Sequence, residues 1–145
     1  MNWLGKLTRG KTLVRGLDHV AVVVSDMDRS IEFYTAVLGM KLIKDGRAEG
    51  GLKKSFIGTD KKAVLALTQE KVVSGSEGGC AAGVNHIAVF VDDIERAGGL
   101  LRERGVRFIE EKFGQDGRTK AYHFLDPDGL ELEICVKTGK EAPQY

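Results

Sequence analysis

The sequence predicts an α+β fold built from two tandem βαβββ modules. Three observations carry this reading. An internal repeat divides the chain, each copy opens with a β-rich run that leads into a capped helix, and each helix is followed by three short, turn-bounded segments. In the repeat, Leu17 to Arg29 (LDHVAVVVSDMDR) lies over Val84 to Arg96 (VNHIAVFVDDIER) at a constant offset of 67 residues, and nearly every pair is identical or chemically alike.

Each copy begins with an apolar run rich in β-branched residues, as a strand requires. The run meets a polar N-cap, Ser25-Asp26 or Asp92-Asp93, whose side chains can accept from the free N–H groups of a following helix. Met27, Ile31, Tyr34 and Leu38 then recur at helical spacing with Gly39 as the stop, and Ile94, Ala97 and Leu101 recur with Gly105 as theirs. Strands are expected at Lys41 to Lys44, Lys53 to Ile57 and Ala63 to Thr68, and again at Arg107 to Glu110, Ala121 to Leu125 and Leu130 to Val136. Asp126-Pro127-Asp128-Gly129 suits a type I turn between the last two.

These elements divide the 145 residues into an N-terminal extension (1–16), one domain (17–136) and a C-terminal tail (137–145). Within the domain, module one is 17–69 and module two is 84–136. The glycine- and serine-rich stretch 70–83 is a crossing between them, since neither half has enough helix to cover its sheet. Twenty-two basic against twenty-one acidic side chains leave no general electrostatic reason to bind nucleic acid or an anionic membrane, so a small-molecule partner is expected. The longest apolar runs, such as Val20 to Val24, fall far short of the ~20 residues of a membrane helix. The basic start lacks a hydrophobic stretch before a cleavage site, and Cys80 and Cys135 form neither a disulfide framework nor a zinc knuckle. A cytoplasmic location is the expectation.

Alternation along a strand puts Leu17, His19, Ala21 and Val23 on one side, and Val84, His86, Ala88 and Phe90 on one side of the equivalent strand. The two histidines are therefore equivalent. In the last strand Glu131, Glu133 and Cys135 share the face opposite Leu130, Leu132 and Ile134. The repeat offset carries Glu133 onto Ala66, so the symmetry has one vacated position, and Gln69 has the wrong parity to fill it. Two imidazoles and a carboxylate, with the fourth place empty, leave coordination positions for water or substrate, as catalytic metal sites require. The expected ligands of one divalent ion per chain are His19, His86 and Glu133. Iron, manganese, nickel, zinc and cobalt are not distinguished.

At these residues the chain resembles the vicinal oxygen chelate superfamily, also called the glyoxalase, bleomycin-resistance and dioxygenase superfamily. The likeness runs from about Val14 to Cys135 and rests on LDHVAVVVSDMDRSIEFYTAVLGMKL, on VNHIAVFVDDIERA with LLRERGVRF, and on YHFLDPDGLELEI. It implies a cupped, mixed eight-stranded sheet with helices outside, a homodimer, and the ligand set His19, His86 and Glu133. Glyoxalase I and methylmalonyl-CoA epimerase carry a Glu or Gln ligand where this chain has Ala66. Extradiol dioxygenases have a tyrosine at the position of His123, and manganese-dependent fosfomycin thiol transferases a threonine at that of Ala21.

The expected function is that of a metal-dependent enzyme, of lyase or isomerase type, acting on a small oxygen-rich substrate chelated through adjacent oxygens. The alternatives are an Fe(II)-dependent extradiol-type dioxygenase and a drug-binding or antibiotic-resistance protein, sequestering or thiol-transferring. His123 is a candidate acid or base, against a structural histidine, and Tyr122 and Glu131 are candidates for supporting the ligands from behind. Cys135 reads as packing rather than as ligand or nucleophile. Gly46 to Gly51 and Gly114 to Gly117 bridge no strand to a helix, so they are expected to be loops at the rim of the cup.

Overall fold

A computed structural model of the chain describes residues 17–49, 54–60, 62–70 and 84–136. Most of the crossing segment, both chain ends, Cys80 and the glycine pair Gly50-Gly51 lie outside the described residues. In the first module β1 (Val20–Val24), β2 (Lys41–Asp45), β3 (Lys54–Gly58) and β4 (Ala63–Gln69) form a sheet of order β1-β4-β3-β2. In the second, β5 (Ile87–Val91), β6 (Phe108–Phe113), β7 (Thr119–Leu125) and β8 (Glu131–Val136) repeat that order as β5-β8-β7-β6. The first and last strands of each module pair in parallel and the others antiparallel, so both sheets are mixed. The eight strands are thus two four-stranded sheets, because each module closes its own ladder.

The registers around Ala66 and Glu133 obey the repeat. Ala21 faces Ala66 and Phe56 faces Ala66 in the first sheet; Ala88 faces Glu133 and His123 faces Glu133 in the second. Every one of these positions is displaced by 67 residues from its twin. Helices α1 (Met27–Glu32) and α2 (Ile94–Glu103) start where expected, with Asp26 Oδ1 accepting from Arg29 N at 3.0 Å and Asp93 Oδ1 from Arg96 N at 2.9 Å. Both helices lie on the face of Val22, Val24, Leu65, Leu67, Leu132 and Ile134, and one buried cluster takes residues from both modules. Gly98 lets α2 approach β7 closely, since a Cβ there would stand 2.5 Å from the Tyr122 ring. Among the described residues no helix is long and apolar enough to cross a membrane.

One departure from the repeat has a structural cost and a use. The left-handed glycine after each helix is Gly39 (φ 70°) and Gly105 (φ 83°), so these stops are 66 rather than 67 residues apart and the first helix holds one extra residue. That residue is absorbed by a π-helical turn at Phe33–Val37, where Leu38 N donates to Phe33 O at 3.1 Å and Met40 N to Tyr34 O at 2.9 Å. Tyr34, the twin of Leu101, is fully buried, and its hydroxyl donates to Asp126 Oδ2 of the second module at 3.0 Å. Asp126 also accepts from the backbone N–H groups of Asp128 and Leu130 at 2.9 and 2.8 Å, which holds the predicted turn. Beside it Asp128 accepts from Ser25 N at 3.0 Å, from the Ser25 hydroxyl, and from Arg29 at 2.8 Å. Burial raises the Tyr34 pKa most, and the Asp126 carboxylate adds to it, so the phenol stays protonated and remains a donor.

Tyr34→Phe removes that donor while keeping the ring, so the lost hydrogen bond to a buried carboxylate should cost about 1.5–3 kcal/mol. The expected result is a lower denaturation midpoint in urea with an unchanged m value. A midpoint equal to that of wild type would show that the junction does not depend on this contact.

Candidate metal centre

The strand assignments shift the two repeat histidines to the positions just before β1 and β5, where the chain is still extended and alternation still applies. Each has its Nδ1 tied by the residue before it, His19 to Asp18 Oδ2 at 2.7 Å and His86 to Asn85 Oδ1 at 2.8 Å. Asp18 and Asn85 are themselves twins at the 67-residue offset, although the sequence reading passed over them. The signal was a polar side chain before each histidine. Such a tie fixes the ring and turns Nε2 the other way, as in second-layer support of ligating histidines.

What Nε2 meets differs between the modules. His86 Nε2 lies 3.0 Å from Glu133 Oε2, and that oxygen is also 3.3 Å from His123 Nε2. His86 and His123 stack edge to face with ring centroids 5.1 Å apart. Glu131 closes the group from behind, its Oε1 accepting from His123 Nδ1 at 2.8 Å. Ligand atoms of His86, His123 and Glu131 all fall within 4.8 Å of one another, the one such group among the described residues. In the first module the twin places hold Phe56, Ala66 and Val64, and His19 meets the edge of Phe56 at 6.5 Å. His19 is 42% exposed and stands outside the cluster. One chain therefore joins His86 to Glu133 and leaves His19 apart on the other sheet.

His123 is almost fully buried, at 1% exposure, and its Nε2 has no hydrogen-bond partner among the described residues. Tyr122 lies on the opposite face of β7, stacked on Phe108 at 4.3 Å beneath α2, because neighbouring strand residues point to opposite faces. It therefore packs the core and does not back the ligands. Cys135 is half-buried on the Glu133 face, and burial first, then the Glu133 charge, pushes its thiol up, which keeps it protonated and unreactive. Gln69 is occupied elsewhere, accepting from Met27 N at 3.2 Å.

The donor set fits a divalent ion. Two ligands each ~2.1 Å from one ion, at 90° to 109° to one another, are about 3.0 to 3.4 Å apart. The spacings of 3.0 and 3.3 Å about Glu133 Oε2 fall in that range. The buried His123 Nε2, which has no hydrogen-bond partner among the described residues, is a polar atom left open to a ligand.

A family model described as the Glyoxalase/Bleomycin resistance protein/Dioxygenase superfamily matches residues 16–134. Among similar proteins is the lactoylglutathione lyase of Escherichia coli O157:H7, 36% identical over 121 residues, covering 80% of this chain and 88% of that protein. The probable chloroplastic lactoylglutathione lyase of Arabidopsis thaliana is 35% identical over 142 residues, covering 94% of this chain, which spans only 40% of that longer protein. Among solved structures, the trypanothione-dependent glyoxalase I of Leishmania major aligns with a TM-score of 0.64 and 31% identity, over 85% of this chain and 87% of its own.

Proposed function

Since the chain belongs to the glyoxalase, bleomycin-resistance protein and dioxygenase superfamily, we propose that it is a divalent-metal-dependent lyase or isomerase whose substrate offers two adjacent oxygens. The observation that carries this is the approach of His86 Nε2 to Glu133 Oε2 at 3.0 Å, with Nδ1 of His86 tied to Asn85. Lactoylglutathione, the compound in the names of the relatives, is a thioester whose carbonyl oxygen stands next to a hydroxyl, which is the pattern the site would chelate. Those names favour the lyase over ring-cleaving oxygenation. A bound ion would supply Lewis-acid polarisation of the two oxygens.

The chain's own groups have separable roles. Asn85 holds His86 with Nε2 turned to Glu133, Glu133 contributes the negative charge, and Glu131 fixes His123. His19 completes the set when it comes from a second copy, because within one chain it stays with Asp18 and Phe56. The surfaces around both histidines favour such a pairing. Leu17 and Val23 flank His19 at 75% and 50% exposure, and Val84 and Phe90 flank His86 at 75% and 63%. A two-fold dimer that lays the first face on the partner's second would cover all four and build two composite sites.

The test combines elemental analysis of protein purified without added metal with an assay of thioester formation from a 2-oxoaldehyde and glutathione. Expected are bound divalent metal, activity lost to a chelator and restored by metal, and a dimeric mass by light scattering. Activity undiminished in metal-free protein would overturn the metal dependence, and a fully active monomer would overturn the composite site. Oxygen uptake with catechols, in place of thioester formation, would reassign the reaction to the dioxygenases.

A further inference from the structure

We propose that His123 is a metal ligand through Nε2 and makes up for the ligand position vacated at Ala66; the inference rests on the metal-dependent reading above. In the second sheet His123 is the cross-strand neighbour of Glu133, and in the first sheet the same place is held by Phe56 beside Ala66. The module that keeps the carboxylate therefore also carries an imidazole where its twin has a phenyl ring.

The protons on His123 can be assigned from its partners. Nδ1 is 2.8 Å from Glu131 Oε1, and a carboxylate only accepts, so Nδ1 carries a hydrogen. Nε2 is buried, has no hydrogen-bond partner among the described residues, and stands 3.3 Å from Glu133 Oε2. If Nε2 holds a lone pair, two electron-rich atoms face each other with Nε2 shut off from water, and a cation between them would relieve the repulsion. If it holds a proton, that N–H has Glu133 Oε2 3.3 Å away but no acceptor in hydrogen-bond geometry. A divalent ion shared with His86 Nε2 removes both difficulties. The arrangement of Glu131, His123 and an ion is then the carboxylate–histidine–metal relay by which proteins orient ligating imidazoles.

This role excludes His123 from acting as a free acid or base, since its only lone pair is committed. It also makes the donor set rich in nitrogen. Three imidazoles and one carboxylate suit zinc, cobalt or nickel better than manganese or magnesium, which prefer oxygen.

The protein labelled with ¹⁵N-histidine and loaded with ¹¹³Cd²⁺ provides the test. One-bond coupling to cadmium is expected at Nε2 of both His86 and His123. His123→Phe, which copies the phenyl ring that the first module accommodates, should weaken Cd²⁺ binding by roughly 100-fold or more, beyond the ~10–100-fold of a supporting residue. The coupling measurement uses the unaltered protein, so it decides even where the variant fails to fold. Coupling at His86, with or without His19, and none at His123 would overturn this inference and leave the metal-dependent reading standing. No bound cadmium and no coupling at either histidine would overturn both.

Discussion

Replacing His86 with alanine should weaken metal binding by about two to three orders of magnitude and reduce thioester-forming activity to background while leaving the fold intact. Structural sites with four ligands bind with apparent free energies of ~10–16 kcal/mol, or about 3 kcal/mol per ligand, so the loss should be roughly 100- to 1000-fold in affinity. The loss should be near the upper end, because Asn85 would then hold no ring and Glu133 would keep only His123 beside it. The fold should survive for a separate reason. The His86 side chain is 29% exposed at the entrance of β5, on the face opposite the buried Leu132, Ile134, Tyr122 and Phe124. Metal content by elemental analysis and unfolding of the metal-free protein read the two effects independently. Unchanged metal content at an unchanged midpoint would remove His86 from the site.

Much of this fold could be read before any coordinates, because a repeat constrains register as well as element type. A single offset of 67 residues relates the parallel pairs β1–β4 and β5–β8, and with them the correspondence of Ala66 to Glu133. The π turn was not legible. One extra residue before Gly39 can be taken up by a wider helical turn or by a longer loop, and local propensity does not separate them. The junction of Tyr34 with Asp126 joins residues 92 apart in the chain and leaves no periodic trace. Tyr122 is a different case, since alternation already puts it on the face opposite His123. His19 marks the limit of reading one chain. Parity gives its face, but under the proposed pairing the group it meets across that face comes from a second copy.

Ala66→Glu tests the repeat, the composite site and the role of His123 together. Ala66 is 4% exposed between Ala21 and Phe56, in the register that Glu133 holds between Ala88 and His123. A carboxylate introduced into an apolar enclosure costs several kcal/mol unless it is compensated, and that is a large part of the ~5–15 kcal/mol that stabilises an ordinary domain. On the side of His19, however, the new carboxylate should gain a bound cation as partner, so metal affinity should rise about 10-fold or more and the loaded protein should not unfold earlier. Turnover should fall at the same time. With His19, His86, Glu133 and His123 as donors, two positions of an octahedral ion remain for adjacent substrate oxygens, and a fifth protein donor leaves one. Combining Ala66→Glu with His123→Phe restores four donors and should recover activity that Ala66→Glu alone loses. Chelator competition, thermal unfolding and the thioester assay measure the three effects. A destabilised Ala66→Glu protein with unchanged or weaker metal binding would show that position 66 does not face the ion.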